Sequence, residues 1–179
     1  MRKLVESTFV TLDGVISDPH VWGQPYWDEE HNGYSAKLLF GADALLLGRE
    51  TYEGFAGAWA GRSGDEYTDR INGLPKYVAS TTLKEATAWN GNLIEGDVAA
   101  AVAALKQQEG QSILKYGTGA LDRTLIENKL IDELHLWMFP VVAGGGVRLL
   151  DGLDLTHFDL LETTRFKSGI IVLTYGLKA

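Results

Sequence analysis

The amino-acid sequence predicts an α/β protein with a mixed, mostly parallel central sheet and helices on both faces. Three observations support this fold class: strand-like and helix-like segments alternate along most of the chain, one apolar run is typical of a strand buried on both faces, and the last two strand-like segments are joined by a short turn typical of an antiparallel hairpin. With 179 residues, the chain is expected to form one domain spanning residues 1–179.

The first half of the chain supplies most of the predicted parallel strands. Residues 3–12 alternate in polarity and are rich in β-branched side chains, which predicts a strand. A loop at 17–32 follows, and loops of this length usually have a function. The apolar run at 44–47 ends at Gly48 and predicts a strand buried on both faces. Helices are predicted at 35–40, 50–59 and 65–72, and short strands at 76–80 and 92–95.

The second half continues the alternation and then changes to consecutive strands. Asp97 is the expected N-cap of an alanine-rich helix at 98–108. A strand at 113–116 runs through a glycine turn into a helix that carries Leu121, Leu125 and Ile126 on one side. Longer strands are predicted at 133–142, 158–166 and 170–175, and residues 167–169 between the last two indicate a hairpin.

Composition and charge exclude several classes of function. Sixteen Lys and Arg against 24 Asp and Glu give a net charge of −8, and no basic patch suited to nucleic acid is visible. No apolar run approaches the roughly 20 residues of a membrane span, and the first residues lack the apolar block of a signal peptide. The four histidines are scattered and cysteine is absent, so no metal site is expected. These features predict a cytoplasmic protein.

Two strand-to-helix turns are candidate anion sites. Gly48 ends a buried strand, and Arg49 and Thr51 lie in the first turn of the next helix, where unpaired N–H groups attract anions. Gly117 and Gly119 make a similar turn, in which the backbone can approach a ligand closely. Each pattern also fits an ordinary turn before a helix.

Other polar and aromatic residues have weaker patterns. Ser80 and Thr81 close a strand and place hydroxyl groups at its carboxyl end, where ligands bind in open sheets, although they also fit an ordinary loop. The glycines at 144–146 lack the Gly-Lys-Ser/Thr ending of a phosphate loop and indicate a structural turn. The acidic run at 28–30 with His31 fits a solvated face better than a site.

Taken in order, six segments resemble one known family. They are similar to the reductase domain at the C-terminus of bacterial riboflavin-biosynthesis deaminase-reductases, within the dihydrofolate-reductase-like superfamily. The matching segments are residues 11–16 (TLDGVI), 42–53 (ADALLLGRETYE), 76–80 (KYVAS), 116–121 (YGTGAL), 130–146 with its PVVAGGG ending, and 168–175 (SGIIVLTY).

This resemblance implies a three-layer α/β/α dihydrofolate-reductase-like fold that binds NADPH across the carboxyl edge of its sheet, usually in a homodimer. The residues it implies for coenzyme binding are Gly48, Arg49, Thr51, Ser80, Thr81, Gly117, Thr118, Gly119 and Leu121. Asp13 would border the nicotinamide and is the candidate catalytic residue. Trp22 and Trp27, with Tyr26 between them, would stack on a flat substrate or else pin the long loop to the core.

The chain also departs from the folate enzymes. Their single carboxylate in the first helix falls on Asn32 here, so folate reduction is not expected, and no proton donor is assigned. The Gly117–Thr118 peptide is expected to be cis, as in those enzymes. The leading hypothesis is an NADPH-dependent reductase of a ribosylamino-pyrimidine, pterin or flavin-like substrate. The alternative is a protein that binds NADPH or another ligand without turnover.

Overall fold

The computed structural model describes residues 1–178 and contains one eight-stranded sheet. Its order is β4-β3-β2-β5-β1-β6-β8-β7. The strands are β1 (Leu4–Thr11), β2 (Ala42–Gly48), β3 (Lys76–Ala79), β4 (Gly91–Leu93), β5 (Ser112–Tyr116), β6 (Glu133–Phe139), β7 (Phe158–Arg165) and β8 (Ile171–Leu177). All pairings among β1 to β6 are parallel, whereas β8 pairs antiparallel with β6 and β7. The mostly parallel sheet and the C-terminal hairpin are confirmed.

Helices cover both faces of the sheet. They are α1 (Pro19–Trp22), α2 (Glu29–Phe40), α3 (Arg49–Trp59), α4 (Glu66–Gly73), α5 (Val98–Gln107) and α6 (Ala120–Glu127). On one face, residues of α2, α3 and α4 pack in a cluster that includes Leu47 of the sheet. On the other face, Val102 of α5 and Leu125 of α6 pack in a cluster that includes Leu46. The chain therefore has the three layers that the sequence predicts.

The apolar run at 44–47 becomes the buried strand that its composition predicts. β2 lies between β3 and β5, and the side chains of Leu45, Leu46 and Leu47 are fully buried. Successive side chains point to opposite faces, so both faces of a strand must be covered to bury such a run. Gly48 therefore lies at the carboxyl edge of the sheet, at the end of a strand whose side chains are packed on both faces.

The long loop and the first helix differ from the prediction. Residues 17–32 include α1, a short 3-10 helix at Gln24–Tyr26, and the first turn of α2. Helix α2 begins at Glu29, earlier than predicted, because the Asp28 side chain caps it by accepting a hydrogen bond from the His31 backbone N–H at 2.9 Å. The acidic run is thus the start of a helix. None of the helices within residues 1–178 combines the length and apolar composition needed to cross a bilayer.

Lys76 places a buried amine at the start of β3. Its Nζ donates a hydrogen bond to the Asn72 carbonyl at 2.6 Å and lies 4.2 Å from the centre of the Trp89 ring. No carboxylate within residues 1–178 forms an ion pair with it. Burial lowers the pKa of Lys76 to about 8. The side chain therefore carries a charge whose desolvation opposes folding at neutral pH.

Raising the pH is expected to stabilise the protein through Lys76. The unfolded chain keeps the ordinary lysine pKa of 10.5, so between pH 8 and 10.5 the unfolded state binds more protons than the folded state. The free energy of unfolding should therefore rise by about 1–2 kcal/mol between pH 7.5 and 9.5, relative to a Lys76→Met variant. Urea unfolding of both proteins at the two pH values measures this difference, and parallel pH dependences would contradict the lowered pKa.

Candidate functional site

Two strand-to-helix turns meet at the carboxyl edge of the sheet. β2 and β5 are hydrogen-bonded neighbours, and each leads directly into a helix, α3 after Gly48 and α6 after Gly119. A Cβ added at Gly117 would lie 3.3 Å from the Thr51 hydroxyl, so the two turns are in contact. The residues predicted to bind an anion at 48–51 and 117–119 are therefore brought together in one place.

The meeting of these turns favours negative charge. The N-termini of α3 and α6 both lie at this edge, and the first N–H groups of a helix carry partial positive charge. At α6 the Gly119 N–H already donates to the Asp122 carboxylate, which leaves the other first-turn N–H groups for a ligand. Apart from the glycine itself and its two chain neighbours, no heavy atom of residues 1–178 lies within 4 Å of the point where a Cβ would stand at Gly48 or Gly119. A ligand can therefore approach the backbone closely at both turns.

Arg49 is the cation of this site, and carboxylates already contact it. Its guanidinium donates to Glu53 Oε2 at 3.0 Å and to Glu50 Oε1 at 3.4 Å, and the side chain is 41% exposed. Exposed ion pairs of this kind contribute little to stability and exchange readily. A phosphate at the helix N-terminus would therefore compete with Glu53 for the same guanidinium group.

The glycine turn after β5 differs from the expected conformation. No peptide bond within residues 1–178 is cis, so the expectation of a cis Gly117–Thr118 bond is wrong. Gly117 instead makes the turn with a φ of +69°, a region that favours glycine. The hydroxyl of Thr118 is buried and has no hydrogen-bond partner within residues 1–178. Leu121, in the first turn of α6, packs against the core on that face of the sheet.

Ser80 and Thr81 lie at the end of β3, the strand beside β2. The Ser80 hydroxyl oxygen accepts hydrogen bonds from the backbone N–H groups of Thr82 at 3.1 Å and Leu83 at 3.0 Å, while Thr81 is exposed. Ser80 therefore shapes its own turn, and Thr81 faces solvent at the same sheet edge. Their role in binding an anion stays a prediction.

Asp13 ties together the ends of β1 and β6. Its carboxylate accepts hydrogen bonds from the Thr11 hydroxyl at 2.6 Å and from the backbone N–H groups of Ala143 at 3.0 Å and Gly144 at 2.8 Å. The Thr11 hydroxyl and these two N–H groups lower the pKa of Asp13 to about 2. The carboxylate is thus held ionised near neutral pH. Its catalytic role stays a prediction, and its geometry favours positioning the 143–146 turn.

The aromatic residues of the long loop have two different environments. Trp22 donates its indole N–H to the Ser17 carbonyl at 2.9 Å, and its ring packs edge-on against Phe139 with Tyr26 on the same phenyl ring. These two residues hold the loop against the end of β6. Trp27 is 42% exposed and stacks on His31 with ring centres 5.9 Å apart. Trp27 is therefore the aromatic side chain of this loop that a flat ligand could reach.

Two buried polar features near this edge are not evident from the sequence. His31 is buried among aromatic rings, and its Nε2 has no hydrogen-bond partner within residues 1–178. Beneath the 117–119 turn, Glu6, Lys115 and Asp122 are all buried and in contact. The signal for the second feature in the sequence is a charged residue inside each of two predicted strands, Glu6 in the first and Lys115 in the strand at 113–116.

The model of one protein family matches nearly the whole chain. This family is described as the RibD C-terminal domain, and it matches residues 2–172. A relative from Bacillus subtilis, the protein YyaP, is 29% identical over 186 residues, covering 97% of this chain and 94% of its own length.

Solved structures with low sequence identity have the same fold. A riboflavin biosynthesis protein from Shewanella has a TM-score of 0.78 at 22% identity, with 99% of both chains covered. A deaminase and 5-amino-6-(5-phosphoribosylamino)uracil reductase from Thermotoga maritima has a TM-score of 0.68 at 15% identity. The match covers 99% of this chain and 57% of the Thermotoga chain. Dihydrofolate reductase from Enterococcus faecalis, complexed with NADP(H), has a TM-score of 0.63 at 17% identity, and the match covers 99% of this chain and 97% of the reductase chain. The fold is dihydrofolate-reductase-like, as predicted.

Proposed function

The chain belongs to the RibD C-terminal domain family, and we propose that it is an NADPH-dependent reductase of a small heteroaromatic compound. The substrate class is a ribosylamino-pyrimidine, a pterin or a flavin-like ring. One observation carries this proposal: the N-termini of α3 and α6 meet at the carboxyl edge of adjacent parallel strands, where Gly48 and Gly119 leave the backbone open to a ligand.

The residues at this edge fit a phosphorylated dinucleotide. Gly48 and Thr51 of one turn and the 117–119 turn supply backbone and hydroxyl groups for the pyrophosphate. Arg49 supplies a guanidinium group for the 2′-phosphate. The buried Thr118 hydroxyl, which lacks a partner within residues 1–178, supports this fit because a buried polar group without a hydrogen bond is costly and a bound ligand could satisfy it. When bound, NADPH supplies the hydride.

The protein would contribute position and exclusion of water. The substrate ring would lie near the ends of β1 and β6, where the exposed Trp27 offers a face for stacking. Asp13 would keep the 143–146 turn in place beside it, and the protein would hold ring and coenzyme at a fixed separation. We further propose that residues 1–179 form one domain and that the protein is cytoplasmic. A homodimer is also proposed, because β7 is a largely exposed edge strand that could pair with a second copy.

Titration of the purified protein with NADPH and, separately, with NADH tests the coenzyme proposal. Tryptophan quenching and enhanced nicotinamide fluorescence report binding, since the chain has five tryptophans. Saturable binding with a clear preference for NADPH is the expected result. Absence of binding for both coenzymes would refute the assignment of the phosphate site. A screen of pyrimidine, pterin and flavin substrates for NADPH oxidation then tests the reductase itself.

A binding protein without turnover is the second candidate function. Two observations favour it: the Asp13 carboxylate is held ionised, and Asn32 stands where the folate enzymes carry a carboxylate, so neither residue is placed to donate a proton. Tight NADPH binding without NADPH oxidation across the whole substrate panel would support this candidate. Saturable oxidation with any member of the panel would exclude it.

A further inference from the structure

Three ionisable side chains are buried together directly beneath the glycine turn. Glu6 of β1 and Lys115 of β5 are register partners on adjacent parallel strands, and Asp122 reaches them from the first turn of α6. The three residues are 0%, 2% and 1% exposed, respectively. The Lys115 Nζ lies 2.8 Å from Asp122 Oδ1 and 3.5 Å from Glu6 Oε2. Charged groups are almost never buried this completely unless they are paired.

This cluster is hydrogen-bonded to both ends of the turn above it. Lys115 Nζ donates to the Gly117 carbonyl, and the Gly119 N–H donates to Asp122 Oδ2 at 2.5 Å. One buried ion pair therefore fixes a carbonyl at the start of the turn and an N–H group at its end. Two of the three residues of the turn are glycines, so their side chains cannot hold it, and besides this cluster it is held by backbone hydrogen bonds such as that from the Gly117 N–H to the Ser7 carbonyl at 2.9 Å.

The buried cluster has a net charge of zero only if one of its two carboxyl groups is protonated. Two carboxyl groups share a single ammonium group, and neither oxygen of Glu6 has a hydrogen-bond partner within residues 1–178. Burial, and then the neighbouring Asp122, raise the pKa of Glu6 well above its ordinary value despite the opposing effect of Lys115. Burial lowers the pKa of Lys115, but the two carboxyl groups raise it further, so its net change is upward. Burial and the neighbouring carboxylate therefore favour the protonated form of Glu6, and Lys115 and Asp122 form the closer ion pair.

We propose that Lys115 and Asp122 are positioning residues that hold the Gly117–Gly119 turn in the conformation that binds coenzyme phosphates. The effect on coenzyme binding rests on the proposed function, but the conformational stability of the turn can be measured without any coenzyme. The cluster does not touch the ligand. It acts by presetting the backbone groups that do, which lowers the cost of ordering them on binding.

Two substitutions of Asp122 separate the hydrogen bond from the charge. Asp122→Ala removes the acceptor for the Gly119 N–H, and Glu6 is free to ionise as the new partner of Lys115, so the variant keeps a compensated charge and should fold. Asp122→Asn keeps an oxygen that can accept from Gly119. NADPH binding is expected to weaken about tenfold in the alanine variant, the scale of one lost hydrogen bond, and to return to within about threefold in the asparagine variant.

Lys106→Met is the matched control. Lys106 is also buried and also pairs with a carboxylate, Asp132 at 2.5 Å, but it lies on α5 and donates to the Leu130 carbonyl, away from the turn. The Lys106→Met variant should be less stable than the parent protein and should have the same NADPH dissociation constant. A weakening in the Asp122→Ala variant no larger than in this control would reduce the cluster to a purely structural role and overturn the proposal.

Two readouts need no coenzyme and distinguish this inference from the proposed function. Amide exchange at Gly119 should accelerate at least tenfold in Asp122→Ala and not in Lys106→Met, and unchanged exchange would overturn the positioning role. The Glu6 carboxyl carbon should have the NMR shift of a protonated acid at pH 7 in the parent protein and of a carboxylate in both Asp122 variants. An ionised Glu6 in the parent would overturn the charge assignment. If the parent protein binds no NADPH, the proposed function fails while these two readouts still decide the inference.

Discussion

Replacing Arg49 with alanine is expected to weaken NADPH binding by about 10- to 100-fold while leaving NADH binding nearly unchanged. The guanidinium group would make charge-assisted hydrogen bonds to the 2′-phosphate, and losing them costs about 1.5–3 kcal/mol. NADH lacks this phosphate and therefore loses nothing at this position. Fluorescence titration of both coenzymes against the parent and the variant measures the two effects side by side.

Glu53→Gln is the matched control for this prediction. Glu53 contacts the Arg49 guanidinium at 3.0 Å, so it competes with a phosphate for the same donor. Neutralising this carboxylate should leave NADPH binding intact or strengthen it by about twofold, because the competing ion pair is exposed and weak. An Arg49→Ala variant that retains the parent's preference for NADPH over NADH would contradict the role of Arg49 at the 2′-phosphate.

Most of the sheet can be predicted from the sequence because its signals are local. The apolar run at 44–47 has the composition of a strand covered on both faces, and residues 167–169 are flanked by two strand-like segments that can only pair as a hairpin at that spacing. Asp97 precedes an alanine-rich run, and its side chain does accept from the Ala100 N–H at 3.1 Å. Each of these features depends on a short stretch of neighbouring residues. The order of the strands in the sheet does not, because it depends on contacts between distant segments.

The interactions around the site involve residues far apart in the chain, which explains why the sequence does not reveal them. The Asp13 carboxylate is hydrogen-bonded to backbone groups 130 and 131 residues away. Glu6 meets Lys115 only because β1 and β5 become neighbours in the sheet. Helix α2 starts early because an aspartate cap and a buried histidine outweigh its polar composition. The position of the glycine turn is visible in the sequence, whereas the buried ion pair that holds it is visible only in the structure.

Trp137 is expected to be among the most sensitive positions for stability. Its side chain is fully buried on β6, with the rings of Phe9, His31 and Tyr34 centred 5.0–5.1 Å away. Trp137→Ala would leave a large cavity among these rings, and the expected loss in free energy of unfolding is about 3–5 kcal/mol. Urea unfolding followed by circular dichroism, which does not depend on tryptophan emission, measures the loss.

The conservative variant Trp137→Phe separates packing from hydrogen bonding at the same position. It keeps an aromatic ring but removes the indole N–H that donates to the Ser7 hydroxyl at 3.0 Å, which should cost about 1–2 kcal/mol. The aromatic cluster around Trp137 supports the ends of β1 and β6, whereas the two turns proposed to bind the coenzyme follow β2 and β5. NADPH binding should therefore be unchanged in the phenylalanine variant. A loss of NADPH affinity in that variant would mean that the two halves of the sheet edge are energetically coupled. Equal stability losses in the two variants would show that the hydrogen bond, and not the packing, dominates at Trp137.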